Sequence, residues 1–148
     1  MSTRSLIHGA LNNCFGCGET NRSGLRLKFF VNDQQQVTCH LRLASRFAGP
    51  PGHAHGGIIA TLLDEAMSKA NRQHDVTAMT RHMEVEYLRP VPLQQTITLT
   101  GHRVSHQGRK HHCEAEIADA AGTILARGKA LFIAIDRSKF LPQTKIKS

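Results

Sequence analysis

The chain has 148 residues, with 19 Lys and Arg against 11 Asp and Glu, ten His, four Cys, one Tyr and no Trp. That length suits one domain with its own core, and no apolar run is long enough for a transmembrane helix. A formal charge of +8 admits nucleic acid, anionic lipid or a phosphorylated ligand. However, the basic residues are dispersed outside 137–147, and one Tyr with no Trp leaves few platforms for stacking bases, which argues against nucleic acid.

Residues 1–23 read as an irregular segment, with Asn12, Asn13, Gly16 and Gly18 as turn formers. The start is too short and too polar for a signal peptide, so a cytoplasmic chain with reduced thiols is expected. One domain then spans 24–136, and 137–148 forms a basic tail. Leu25, Leu27, Phe29 and Val31 alternate as in a strand, Asn32-Asp33 marks a turn, and Val37, Cys39, Leu41 and Leu43 alternate again. The Phe residues at 29, 30, 47 and 132 lie where core is expected.

After the Ala48–Gly52 loop, a helix is predicted from Gly57 to Gln73, about 25 Å long at 1.5 Å per residue. Ile58, Ile59, Leu62, Leu63, Ala66, Met67 and Ala70 cover more than half its circumference, so it is mostly buried. Gly57, Thr61, Asp64 and Ser68 form its other face, beside Glu65 and Arg72. Lys69 and Gln73 intrude on the apolar stripe, which places the last turn at the surface. Met79, Met83, Val85 and Tyr87 alternate with Thr80, His82, Glu84 and Glu86 as in a strand. Strands at Thr96 to Val104, Lys110 to Ala118 and Thr123 to Ile135 follow. Two strands, a long helix and four strands joined by short connections predict an α+β domain with an antiparallel meander.

The helix start carries the clearest chemical signal. His55-Gly56-Gly57 opens it, and glycines let a ligand approach the backbone. The first N–H groups of a helix lack internal partners and lie at the positive end of its dipole, a place for a carbonyl becoming an oxyanion. The same glycines also serve a tight loop-to-helix turn. His55 is a poor candidate for a cap, since His is not a preferred N-cap residue. Asp64, an unfavourable residue inside a helix, is a candidate general base or, as the second route, a nucleophile forming an anhydride, and the sequence does not separate the two. Glu65 is the second carboxylate, about 100° around the helix, so the two do not aim at one water.

Cys14-x-x-Cys17 invites a zinc reading, but structural zinc takes four ligands. No second such pair exists, Cys39 and Cys113 fall in predicted strands, and His8, His111 and His112 show no ligand spacing, so no metal is expected. Neither Cys14 nor Cys17 sits where a thiolate nucleophile would be stabilised.

His55-Gly56-Gly57 followed by Asp64 resembles the hotdog-fold acyl-CoA thioesterases of the PaaI-like group. So do Cys14-Phe15-Gly16-Cys17-Gly18 with Asn21 and Gly24-Leu25, Glu86-Tyr87-Leu88-Arg89-Pro90-Val91, and Glu116 to Asp119 leading through Gly122 to Ala126-Arg127-Gly128. The resemblance implies a curved antiparallel sheet around one helix, hydrolysis of an acyl-CoA without a cofactor, and a homodimer or homotetramer whose site is shared between chains. It implies that Asp64 is catalytic, that the Gly57 N–H holds the substrate carbonyl beside His55 and Gly56, and that the Thr80 hydroxyl helps hold the attacking water. Arg89, Arg109 and Lys110 become candidates for the coenzyme A phosphates, with Glu65 beside the substrate. The chain departs from the group in one respect: the 47–52 loop has no Asn or Gln to support the thioester or the water. A non-catalytic acyl-CoA binding module on the same fold is therefore the rival reading.

Overall fold

The structure, a computed structural model, describes residues 4–6 and 12–140, and side chains for 12–139. His8 and the 141–148 part of the basic tail lie outside the described residues. Seven strands form one sheet: β1 (Arg4–Leu6), β2 (Phe29–Val31), β3 (Val37–Arg42), β4 (Ala78–Tyr87), β5 (Thr96–Gln107), β6 (Lys110–Ala118) and β7 (Ile124–Ala134). A 17-residue helix, α1 (Gly56–Arg72), lies between β3 and β4, and the four-residue α2 (Arg137–Phe140) follows β7. β1 falls within the segment expected to be irregular. Leu25 and Leu27 precede β2 outside regular structure, although Leu27 is buried.

The strand order is β1-β2-β3-β5-β6-β7-β4, and every pair is antiparallel. The expected meander holds only for β5-β6-β7. β4 pairs with β7 rather than with its sequence neighbour β5. Residues 88–95 contain Pro90 and Pro92, and Pro lacks the N–H that a direct hairpin ladder needs. The chain instead crosses the end of the sheet, where Leu88 and Arg89 both donate to the Leu125 carbonyl.

α1 packs against β3, β4, β5, β6 and β7, so the sheet curves around it. Leu62, Leu63, Ala66, Met67 and Ala70 are fully buried among Phe29, Val37, Ile97, Leu99, Ile117 and Phe132. The approach is close enough to require Gly101 on β5, where a Cβ would lie 2.6 Å from the Ala66 carbonyl oxygen. The wrapping reaches further than the sequence implies. Lys69 is 2% exposed and Asn71 1%, so the last turn of α1 is covered. Asn71 Oδ1 accepts from the Cys113 thiol at 3.3 Å. Phe30, in contrast, is exposed on the outer face of β2. One helix enclosed by an antiparallel sheet is the α+β hotdog arrangement.

Candidate active site

The loop before α1 is held by its own backbone: Gly49 N–H donates to the His53 carbonyl at 2.9 Å and His55 N–H to the Phe47 carbonyl at 2.9 Å. His55 is extended (φ −64°, ψ 139°) and is the N-cap of α1. Its Nδ1 accepts from the Gly57 N–H at 2.9 Å. This corrects the expectation that His would not cap. A neutral imidazole with its proton on Nε2 presents an acceptor at about the reach of an Asn or Asp side chain. Ile58 and Ile59 donate to the His55 carbonyl, while the Gly56 N–H has no partner among the described residues. Tyr87, the chain's one tyrosine, donates its hydroxyl to the Gly56 carbonyl at 3.0 Å. It ties β4 to the helix start, a link that the sequence pattern left unassigned.

Two turns along α1, Asp64 is half-buried, and its Oδ1 accepts from the Thr80 hydroxyl at 2.6 Å. Strict alternation along β4 puts Thr80 on the outer face with His82, Glu84 and Glu86. The structure does otherwise because the β4–β7 register slips between Thr80 and His82, making Arg81 the extra residue of a β-bulge. From Met83 onward the odd residues face the core. Before the bulge the parity reverses: Ala78 packs against the core, Thr80 turns toward Asp64 on α1 while staying exposed, and Met79 is left 59% exposed. The bulge thus aims the hydroxyl at the carboxylate. No other described hydrogen bond reaches Asp64, which leaves Oδ2 available to water.

Glu65 points away from this pair. Its carboxylate is the acceptor for the Cys14 thiol at 3.6 Å and packs on the backbone of Gly16. Burial pushes its carboxyl above the usual range, and the neighbouring Asp64 charge adds to the rise. The structure therefore places Glu65 on the N-terminal turn and not beside His55, Gly57 or Thr80. Cys39 and Cys113 are buried, and burial lifts their thiols to about 11 and about 12.

The candidate phosphate ligands are not together within one chain. Arg89 is exposed near the Leu125 end of β7, whereas Arg109 donates through Nε to the Ala134 carbonyl at 3.1 Å and Lys110 pairs with Ile133. Nine residues of strand separate Leu125 from Ala134, about 30 Å at 3.4 Å per residue. Two surface grooves, of about 340 and 490 Å³, lie on the outer sheet face and share Glu84, Glu114 and Lys129. Neither includes His55, Gly57, Asp64 or Thr80.

Comparison with known proteins gives the same fold and a family. The chain is similar to the acyl-coenzyme A thioesterases THEM4 of Mus musculus, at 29% identity over 119 residues, which is 78% of this chain and 51% of that protein. It is also similar to that of Rattus norvegicus, at 26% over 113 residues, 75% and 48% respectively. The chain spans about half the length of these curated relatives. Among solved structures, a thioesterase superfamily protein superposes with a TM-score of 0.79 at 31% identity, covering 84% of this chain and 62% of its own. A hypothetical thioesterase from Streptococcus pneumoniae TIGR4, solved with coenzyme A, shares the fold with a TM-score of 0.64 at 18% identity, over 67% of this chain and 80% of its own. The family model described as thioesterase superfamily matches residues 51–126, just over half of the chain. That span runs from the loop before His55 through α1 and β4 into β7, and by it the chain belongs to the thioesterase superfamily.

Proposed function

We propose that the protein is an acyl-CoA thioesterase in which Asp64 is the general base and the N-terminus of α1 holds the substrate carbonyl. The observation that carries this reading is the 2.6 Å Thr80–Asp64 hydrogen bond. It fixes the orientation of a half-buried carboxylate and leaves one oxygen for water. Water bound at Oδ2 gives its proton to Asp64 as its oxygen attacks the thioester carbon. The carbonyl oxygen becomes an oxyanion, which replaces the imidazole of His55 on the Gly57 N–H at the positive end of the helix dipole. Collapse of the tetrahedral species breaks the C–S bond, and the coenzyme A sulfur leaves with the proton held by Asp64. Atoms balance as acyl-CoA plus water giving acid plus free thiol.

Two copies complete the site. Gly57 and Asp64 of one chain are separated by seven residues, about 10.5 Å along the axis, and neither lines the two grooves on the outer sheet face. β4 is an edge strand of ten residues, with Met79 and Tyr87 on it and Leu88 just past its end, each more than 45% exposed. Such an edge is a template for a second strand. In this reading β4 pairs with β4 of a second copy, so that Asp64 and Thr80 of one chain work with the helix start of the other.

Thiol release is to be measured across short, medium and aromatic acyl-CoAs, with sedimentation at the working concentration. Turnover of at least one of them by a dimer or a dimer of dimers is expected. Mixing Asp64→Asn subunits with Gly57→Val subunits should restore activity that neither has alone. Binding of acyl-CoA without turnover by any member of the panel establishes the binding-module alternative instead, and an active monomer removes the shared site.

A further inference from the structure

The N-terminal turn holds a set of donors that the thioesterase chemistry does not use. Cys14 Sγ, Cys17 Sγ and a Glu65 carboxylate oxygen lie within 4.8 Å of one another, and the Cys14–Glu65 separation is 3.6 Å. A tetrahedral zinc ion with bonds of about 2.3 Å to sulfur and about 2.1 Å to oxygen holds such donors about 3.6–3.8 Å apart. One ion therefore fits among the three after small side-chain adjustments. The thiols come from one turn and the carboxylate from α1, 51 residues from Cys14.

The turn is built to keep them there. Gly18 N–H donates to the Cys14 carbonyl at 2.8 Å, Leu25 N–H to Phe15 at 2.8 Å and Leu27 N–H to Gly16 at 2.9 Å. Asn12 braces both ends of the pair: Oδ1 accepts from the Cys14 N–H at 3.0 Å and Nδ2 donates to Cys17 Sγ at 3.4 Å. An N–H aimed at sulfur is the kind of outer contact that supports a thiolate ligand. Gly16 lets the Glu65 side chain lie directly against this turn, since a Cβ there would meet its carboxylate end. Cys17 is buried and Cys14 and Glu65 half-buried. The ion pairs found among the described residues join His82 to Glu84 and His102 to Glu114, so no cation accompanies Glu65 there. A divalent ion supplies the positive charge that three neighbouring acids lack.

We propose that Cys14, Cys17 and Glu65 bind one zinc ion, with water in the fourth position. Both thiols lose their protons on binding, and Glu65 coordinates as the carboxylate. The ion links the N-terminal turn to α1 on the flank away from Thr80, and its fourth position stays open to water, unlike a closed four-ligand structural site. Sequence spacing hid this site, because one C-x-x-C has only two ligands and nothing in the pattern pointed to Glu65.

The test uses the full chain, reduced and free of metal, titrated with cobalt(II) as a spectroscopic probe and then with zinc. One equivalent of metal per chain is expected, with the thiolate-to-cobalt charge-transfer band and the visible bands of a tetrahedral site. Cys17→Ser should lose the charge-transfer intensity from one thiolate. Glu65→Gln should retain both thiolates and weaken zinc binding by about tenfold or more, at least the effect of an outer-contact loss. Binding should release protons and raise Tm with zinc concentration. Substoichiometric binding at micromolar zinc, with both thiols shown to be free, overturns the proposal. So does a cobalt spectrum unchanged by Cys17→Ser, or a zinc affinity unchanged by Glu65→Gln if the serine variant does not fold. The readout is metal content and spectrum, independent of any hydrolytic activity.

Discussion

Asp64 and Glu65 are consecutive on α1, and their surroundings diverge. Asp64 faces a strand edge, meets one hydroxyl and keeps an oxygen open. Glu65 faces a closed turn, meets two thiols and is pushed toward its neutral form by burial. A rotation of about 100° per residue is enough to separate them. The lesson is that the side of the helix, more than the residue type, decides which carboxylate can work on water. Of the two flanks, the Thr80 one combines an open oxygen with a fixed orientation, the two things a base needs.

The sharpest way to break this contrast is to neutralise each carboxylate in turn. Asp64→Asn keeps size and polarity but cannot take a proton, and should lower kcat by about 10²–10⁴-fold, the usual contribution of a positioned base. Glu65→Gln should lower kcat far less, with its main effects on zinc content and Tm. Measured thiol release on the best acyl-CoA decides the matter; if Glu65→Gln costs more than Asp64→Asn, the assignment is reversed.

Thr80→Val should come next. It keeps the β-branched shape and removes the hydroxyl that orients Asp64. A hydrogen bond to a charged group contributes about 1.5–3 kcal/mol, equivalent to about ten- to a hundredfold in rate. If the hydroxyl serves the attacking water through Asp64 and does not touch the acyl-CoA, the loss should appear in kcat more than in KM. Thr80→Ser should recover much of the rate; a serine variant as slow as the valine one would show that the hydroxyl is not the relevant group.

Much of this arrangement was legible in the sequence, and the misses share a cause. α1 was readable within one residue at each end because seven apolar residues repeat at helical spacing between a Gly-rich start and polar residues. Asp64 stood out as an Asp inside that helix. The strands of β5, β6 and β7 followed from alternation and turns. What alternation could not give was the bulge at Arg81, since one extra residue leaves composition unchanged while turning Thr80 toward Asp64. The pairing of β4 with β7, the Tyr87–Gly56 bond and the Cys14–Glu65 contact are long-range, and no local pattern encodes them. Residue preference argues against His55 as a cap, although its Nδ1 geometry serves well.

A smaller effect separates the basic residues. Arg89 lies at the helix-start end of β7, and Arg109 and Lys110 at the other. If the nucleotide of acyl-CoA contacts exposed Arg or Lys, KM should rise with ionic strength by severalfold, while an acyl-pantetheine shows little change. Arg89→Gln should remove more of that salt dependence than Arg109→Gln if one chain provides the contact. Equal effects of the two indicate a nucleotide bound across subunits.

The contrast between an accessible and an enclosed charge extends one turn further, to Lys69, and predicts the smallest effect. Lys69 is 2% exposed and pairs with no carboxylate among the described residues. Burial, and then the nearby Arg72 charge, lower its ammonium from the usual 10.5 to about 7. Between those values the unfolded chain holds a proton that the folded chain releases, so stability rises with pH across that window. Below pH 7 both states are protonated and the folded state carries the full cost of a buried charge. Lys69→Met removes the charge and keeps a long flexible side chain to fill the space. It should therefore stabilise the protein most below pH 7, by at least about 1 kcal/mol or about 3 °C in Tm, and the gain should fade toward pH 10. Thermal unfolding of both proteins at pH 6, 8 and 10 gives the comparison. A gain independent of pH would mean that Met packs better than Lys for reasons other than charge; a loss at pH 6 would mean that the ammonium has a partner in solution.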